Sequence, residues 1–318
     1  MEKKILLAVD GSEKGFGAVS VVGELLKNQA GVRLILYHCV EQLARFYPGE
    51  LCEVEQSCRL PLSDQEKVGR AVLDESKRVL AATGFPEDRI EVKLKVDSTD
   101  PARDILREAE GEKIRTIALG RRGRGQLETL LLGGVTSKVA QYARYRSVWI
   151  VDTPPFKTGR VLVALEGAAD VKTLTPYVAE YFAPISELRY TFLHLMPSVP
   201  PTFWDDGHIL DPSEQKDRQA RIEKWKSDWI QESEKFMKEA RGQLEASGVS
   251  PDRIHTLVLP TKQGIARDLL TEIAEHQYQV VVMGKKSFHE RKPFLLGSHA
   301  NKVMQNVQGT ILCLVDAQ

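Results

Sequence analysis

Two glycine clusters carry most of the chemical potential of this chain. Gly120-Arg121-Arg122-Gly123-Arg124-Gly125 ends one apolar run, and after a leucine-rich stretch Gly133-Gly134-Val135-Thr136-Ser137 opens a helical segment. Glycine lets main-chain N–H groups come close to an anion, and a helix N-terminus adds unpaired donors and a favourable dipole. That chemistry suits a phosphate, with Thr136 and Ser137 as added hydroxyl donors. Asp10, in Val9-Asp10-Gly11-Ser12, ends the first apolar run and would stand at the same end of a parallel sheet. On glycine content alone, the same residues serve equally well to turn the chain between strand and helix.

The pattern recurs downstream in altered form. Gly284-Lys285-Lys286-Ser287 is followed, nine residues later, by Gly297-Ser298-His299-Ala300, and Glu166 stands where the first copy has Asp10. Ser287 in place of the second glycine adds a Cβ where backbone must turn or touch phosphate. Glu166 is longer than aspartate by one methylene and would intrude on a ligand. Lys285, Lys286 and His299 would attract phosphate unless they are simply solvated.

Other chemistries find less support. A Walker A pattern is absent, and Gly15-Phe16-Gly17 falls inside a helical segment as a close helix–sheet contact. His38 and His194 recur at strand ends, where a hydrogen-bonded structural role is the simpler reading, and no nucleophile elbow accompanies them. His255, His276, His289 and His299 lack metal-ligand spacing. Arg121, Arg122 and Arg124 without interleaved aromatics argue weakly for nucleic acid, and 44 basic against 44 acidic residues offer no basic excess for nucleic acid or an anionic membrane. Cys39 and Cys313 lie in apolar strands, and Cys52 and Cys58 do not have zinc spacing, so no disulfide framework is expected.

The elements that must position these residues come in duplicate. Lys4–Gly11 aligns with Arg160–Gly167 at an offset of 156, as does His38 with His194. Ala102–Leu106 aligns with Ala266–Leu270 at an offset of 164, followed by Gly120 with Gly284, Gly133 with Gly297 and Asp152 with Asp316. Eight extra residues therefore enter the second copy between His194 and Gly248. In the first copy, apolar strands are predicted near 4–10, 33–40, 90–96, 114–120 and 147–152, with helices over 62–83 and 101–111. Gly84 and Gly248 would end equivalent helices, and Asp211-Pro212-Ser213 opens a long charged helix reaching about Ala246. Trp225 and Trp229, four apart on that helix, read as a packing stripe, and the aromatic segment around Pro200–Gly207 as a cover or lid for the second pocket. Alternating strands and helices predict an α/β fold with two doubly wound, mainly parallel five-stranded sheets, one per repeat. The expected domains are 1–153 and 158–318, joined by a stiff linker around Pro154-Pro155. No apolar run reaches membrane-spanning length and the first is too short for a signal peptide, so a cytoplasmic location is expected.

With these residues in view, the chain resembles a tandem universal stress protein. The carriers are Gly120-x-x-Gly123, nine residues, then Gly133-Gly134-Val135-Thr136; Leu130-Leu131-Leu132; the opening Lys3–Ser12; Leu36-Tyr37-His38-Cys39-Val40; and Val148-Trp149-Ile150-Val151. The resemblance implies an adenine nucleotide alpha hydrolase-like fold and an adenine nucleotide ligand, ATP or AMP, with or without Mg2+. Asp10 would lie beside ribose and adenine and the Cys39 backbone near the adenine edge. Gly120, Gly123, Gly133, Gly134, Val135 and Thr136 would wrap ribose and phosphates. Gly134 stands where the family has Ser or Thr, so one hydroxyl donor is lost. The second copy offers Glu166, Gly284, Ser287, Gly297 and Ser298 as a degenerate counterpart. The resemblance further implies a non-catalytic regulatory protein whose two domains pair within the chain, with homodimerisation and an unknown regulatory protein partner in view. The rival expectation is an adaptor that has lost nucleotide binding in both copies and acts through partners or another small ligand.

Overall fold

The computed structural model describes residues 3–41, 61–122, 132–204, 211–285 and 296–316. These divide into two compact units. The first takes the described residues up to Phe156 together with Leu296 and 308–316; the second takes those of 157–285 and 297–307.

The first unit alternates strictly. Its order is β1 (Lys3–Ala8), α1 (Glu13–Leu26), β2 (Val32–Glu41), α2 (Leu62–Ala82), β3 (Ile90–Ser98), α3 (Pro101–Gly111), β4 (Thr116–Gly120), α4 (Gly134–Tyr142) and β5 (Ser147–Val151). The sheet runs β3-β2-β1-β4-β5 with every pair parallel. Strands such as β1 and β5 carry continuous apolar runs, residues 5–8 and 148–151, because helices cover both faces of a parallel sheet. Here α1 packs with α2 as one layer and α3 with α4 as the other. Local chemistry sets the helix ends. Asp100 caps α3, with Pro101 in the first turn, where its missing N–H costs nothing. Gly84, at φ 88°, closes α2 in a conformation that other residues rarely adopt.

A sixth strand of this unit comes from the far end of the sequence. The segment β10 (Ile311–Val315) pairs antiparallel with β5, and Trp149 faces Cys313. Those two residues are each other's equivalents in the repeat, 164 positions apart. The turns ahead of both strands are tied symmetrically. Gly309 donates its N–H to Asp152 Oδ2 at 2.9 Å, and Tyr145 donates its own to Asp316 Oδ2 at 2.9 Å. Both turn residues sit at positive φ, 67° and 56°.

The second unit repeats the plan. It comprises β6 (Arg160–Ala164), α5 (Ala168–Tyr181), β7 (Arg189–Met196), α6 (Pro212–Ala246), β8 (Ile254–Pro260), α7 (Ile265–His276), β9 (Val280–Gly284) and α8 (Ser298–Asn306). Its strands run β9-β6-β7-β8, all parallel. Helix α6 has 35 residues against 21 in α2. Asp211 starts it with a reciprocal capping box to Glu214. Trp225 and Trp229 touch at 6.1 Å between ring centres, the packing stripe expected of them, and Phe203 leans on Trp225 at 6.3 Å. Among the described residues no helix is long and apolar enough to cross a membrane.

A candidate nucleotide site and its altered counterpart

Strand order reverses between β1 and β4, and the crevice beyond the carboxyl ends of the strands at such a point is where open α/β sheets bind ligands. Gly11, at φ 74°, turns the chain sharply after β1. Asp10 precedes it, and its Oδ1 accepts from Ser12 N–H at 3.1 Å and Ser12 Oγ at 2.7 Å. Ser12 Oγ in turn accepts from Gly15 N–H at 3.0 Å, capping α1. Gly15 lies tight against Asp10: any Cβ there would meet the carboxylate. The pair thus fixes both the helix start and the carboxylate at the crevice, which gives Gly15 a sharper role than a general helix–sheet contact.

The opposite wall is the end of β4 and the start of α4. Gly133 donates its N–H to Arg121 O at 3.0 Å, and the first bond inside α4 is Ser137 N–H to Gly133 O at 2.8 Å. The three N–H groups between them, of Gly134, Val135 and Thr136, have no acceptor within the helix. The Thr136 hydroxyl, expected as a ligand donor, instead donates to Gly120 O at 2.8 Å and ties the helix to the strand. That leaves its main-chain N–H for a ligand. Among the described residues, a Cβ at Gly134 would meet nothing within 4 Å, so they leave the approach to these amides open.

Between the walls lies a cavity of about 580 Å³, lined by Asp10, Cys39, Gly120, Gly133, Gly134, Val135 and Thr136. Gly123 lies outside the described residues. Cys39 is held as a neutral thiol, its pKa pushed up to about 12 by burial, with the Asp104 charge adding to the effect. His38 has its Nδ1 against Val9 O at 2.7 Å, a structural contact. Arg122 also lines the cavity, and its Nε has no hydrogen-bond partner among the described residues. Sequence reasoning weighed Arg122 only for nucleic acid; its place between Gly120 and Gly123 is the local signal that puts it at this cavity. Arg121 is different. It is 2% exposed, and burial lowers its pKa while the Asp152 charge opposes that shift.

The second unit keeps the main-chain scaffold and changes the mouth. Gly297 donates to Lys285 O at 2.7 Å and Asn301 N–H bonds back to Gly297 O at 2.9 Å, matching the first copy. Lys285 is 1% exposed, so it is not a solvated side chain, and it does not line the associated cavity. The associated cavity is about 290 Å³, and Glu166, Gly284 and His299 line it while Gly297 and Ser298 do not. Ser287 lies outside the described residues. Glu166 Oε1 and His299 Nδ1 stand 3.2 Å apart. Trp229, from the long helix, contributes to the wall. Nothing local to the helical stripe directs that tryptophan to the cavity.

Asp170 also lines this cavity, and its Oδ2 accepts from Glu166 N–H at 2.6 Å. Burial pushes its pKa up from 3.8 to about 6, the Glu166 charge adds to the rise and the Glu166 N–H opposes it. The folded state prefers the neutral acid, so this carboxyl costs stability as pH rises from about 3.8 through about 6. That cost is at most about 3 kcal/mol. Asp170→Asn keeps an acceptor for the Glu166 N–H. It is expected to raise the denaturant midpoint at pH 7.5 and to leave it nearly unchanged at pH 4; equal differences at both would contradict the assignment. Among the described residues, no group of three His, Cys, Asp or Glu side chains gathers around a metal position.

The universal stress protein family profile matches residues 1–152. A universal stress protein of Thermus aquaticus is 35% identical over 144 residues, 45% of this chain and 94% of that one. Universal stress protein YxiE of Bacillus subtilis is 27% identical over 143 residues, 44% of this chain and 93% of that one. A universal stress protein structure from Archaeoglobus fulgidus aligns with 98% of this chain and 96% of its own at a TM-score of 0.60 and 18% identity, a likeness of fold. On the near-complete match to the Thermus aquaticus relative, and on the profile match to the first copy, this chain belongs to the universal stress protein family.

Proposed function

We propose that the chain is a non-catalytic stress-response protein that binds an adenine nucleotide, ATP or AMP, in the first unit. One observation carries this reading. The glycine cluster, three helix-start amides, the Arg122 guanidinium and the Asp10 carboxylate converge on one cavity of about 580 Å³ at the reversal of strand order. Arg122 and the amides of Gly134, Val135 and Thr136 would hold phosphate oxygens, and Asp10 would accept from ribose hydroxyls. The neutral Cys39 thiol and the His38 ring bonded to Val9 O are not primed as nucleophile or base. A regulatory output requires only that the nucleotide bind two states of the protein with different affinity.

Calorimetric titration with ATP tests the reading through paired variants. Arg122→Gln removes a charge-assisted contact and is expected to weaken ATP binding about tenfold or more. Gly134→Ser adds a hydroxyl beside open space and is expected to strengthen it several-fold. ATP binding that neither variant changes would overturn this assignment of the site.

A further inference from the structure

The altered cavity of the second unit has its own chemistry. His194, two residues before the end of β7, lines the cavity and is only 2% exposed. Its Nδ1 stands 2.9 Å from Leu165 O. A carbonyl oxygen only accepts, so Nδ1 carries the hydrogen and Nε2 presents a bare lone pair. That Nε2 is buried and has no hydrogen-bond partner among the described residues. Burial also disfavours the imidazolium, which would otherwise turn this acceptor into a donor. A buried acceptor left without a donor is costly, so a donor from outside the described side chains would stabilise it.

The surroundings say what that something is. Trp229 stacks on the His194 ring at 5.9 Å between centres and an interplanar angle of 14°, and Phe236 meets it edge-on at 5.1 Å. Leu165, Leu269 and Met283 continue an apolar lining. The titratable groups of the wall, Glu166 and Asp170, are engaged with His299 and with the Glu166 N–H. Their carboxyl character disfavours an anion, and the cavity has half the volume of the first, which suits a smaller ligand.

We infer that the second unit binds a small, uncharged, largely apolar ligand that donates one O–H or N–H to His194 Nε2 against the Trp229 ring. This site is independent of nucleotide binding in the first unit. Phenol serves as the probe, with toluene as the same shape lacking the donor. Into the full chain, phenol is expected to titrate about tenfold tighter than toluene. It is also expected to shift the ¹⁵N signal of His194 Nε2, while toluene leaves that signal in place. In a folded His194→Phe variant the preference for phenol is expected to vanish, and in a Trp229→Ala variant both probes are expected to weaken. Equal affinity of the unmodified protein for phenol and toluene, a motionless His194 signal, or no binding of either probe would overturn the inference. The comparison on the unmodified chain holds even if a variant fails to fold.

Discussion

A chain ending at Gln308 is expected to lose the cooperative fold of its first unit. Such a truncation removes β10, whose residues Ile311, Leu312, Cys313, Leu314 and Val315 are between 0% and 1% exposed. At roughly 1.5–3 kcal/mol for each large apolar side chain buried, the strand contributes on the order of 10 kcal/mol, comparable to the whole stability of an ordinary domain. The loss extends beyond burial. The edge of β5 would be left with unpaired main-chain groups beside four buried apolar residues, an arrangement prone to aggregate. The Asp152–Gly309 and Asp316–Tyr145 ties would go as well. Soluble yield and the denaturant transition of the truncated chain check this. A first unit that unfolds at its former midpoint would show that β10 is dispensable.

Gly134→Asp is expected to abolish nucleotide binding without weakening the fold. The residue opens α4, its φ is not positive, and an added Cβ meets nothing within 4 Å. An acidic side chain in the first turn interacts favourably with the helix dipole, by about 0.3–1 kcal/mol. The same charge would stand beside bound phosphates. At about 4 Å and an effective dielectric near 20, one unit of repulsion is about 4 kcal/mol, and partial exposure reduces it. A loss of about a hundredfold in ATP affinity is a conservative expectation, with the thermal midpoint unchanged or slightly higher. Calorimetry and a melting curve on the same preparation separate the two effects. ATP affinity retained in this variant would move the phosphates away from α4.

Much of this was legible in the sequence because the relevant signals are local. Buried parallel strands must be apolar runs, so β1, β2, β4 and β5 stand out from the charged helices around them. Gly84 and Gly248 sit at positive φ as their position after long helices requires. Asp211, Pro212 and Glu214 announce the start of α6 without any tertiary knowledge. Repetition at fixed offsets supplied the second unit from the first.

What was hidden depends on contacts between distant residues. The apolar run 311–315 carries no mark of direction or partner, so its antiparallel pairing with β5 could not be read from it. The Thr136 hydroxyl suits a phosphate or a carbonyl equally well in sequence; only the fold brings Gly120 O within 2.8 Å. Arg121 and Arg122 are neighbours of one type, yet the first is buried and the second lines the cavity. Alternation along a strand end decides that, and no composition argument does. Trp229 was legible as half of a helical stripe, whereas its stacking on His194, 35 positions away, was not.

The central claim is that main-chain amides at the start of α4 grip the phosphates of an adenine nucleotide. Amide ¹⁵N–¹H spectra of the full chain during an ATP titration test it directly. The signals of Gly134, Val135 and Thr136 are expected to move together and saturate at one equivalent, while those of Ser298, His299 and Ala300 stay in place. Signals of 134–136 that do not move at saturating ATP, or movement confined to 298–300, would contradict it.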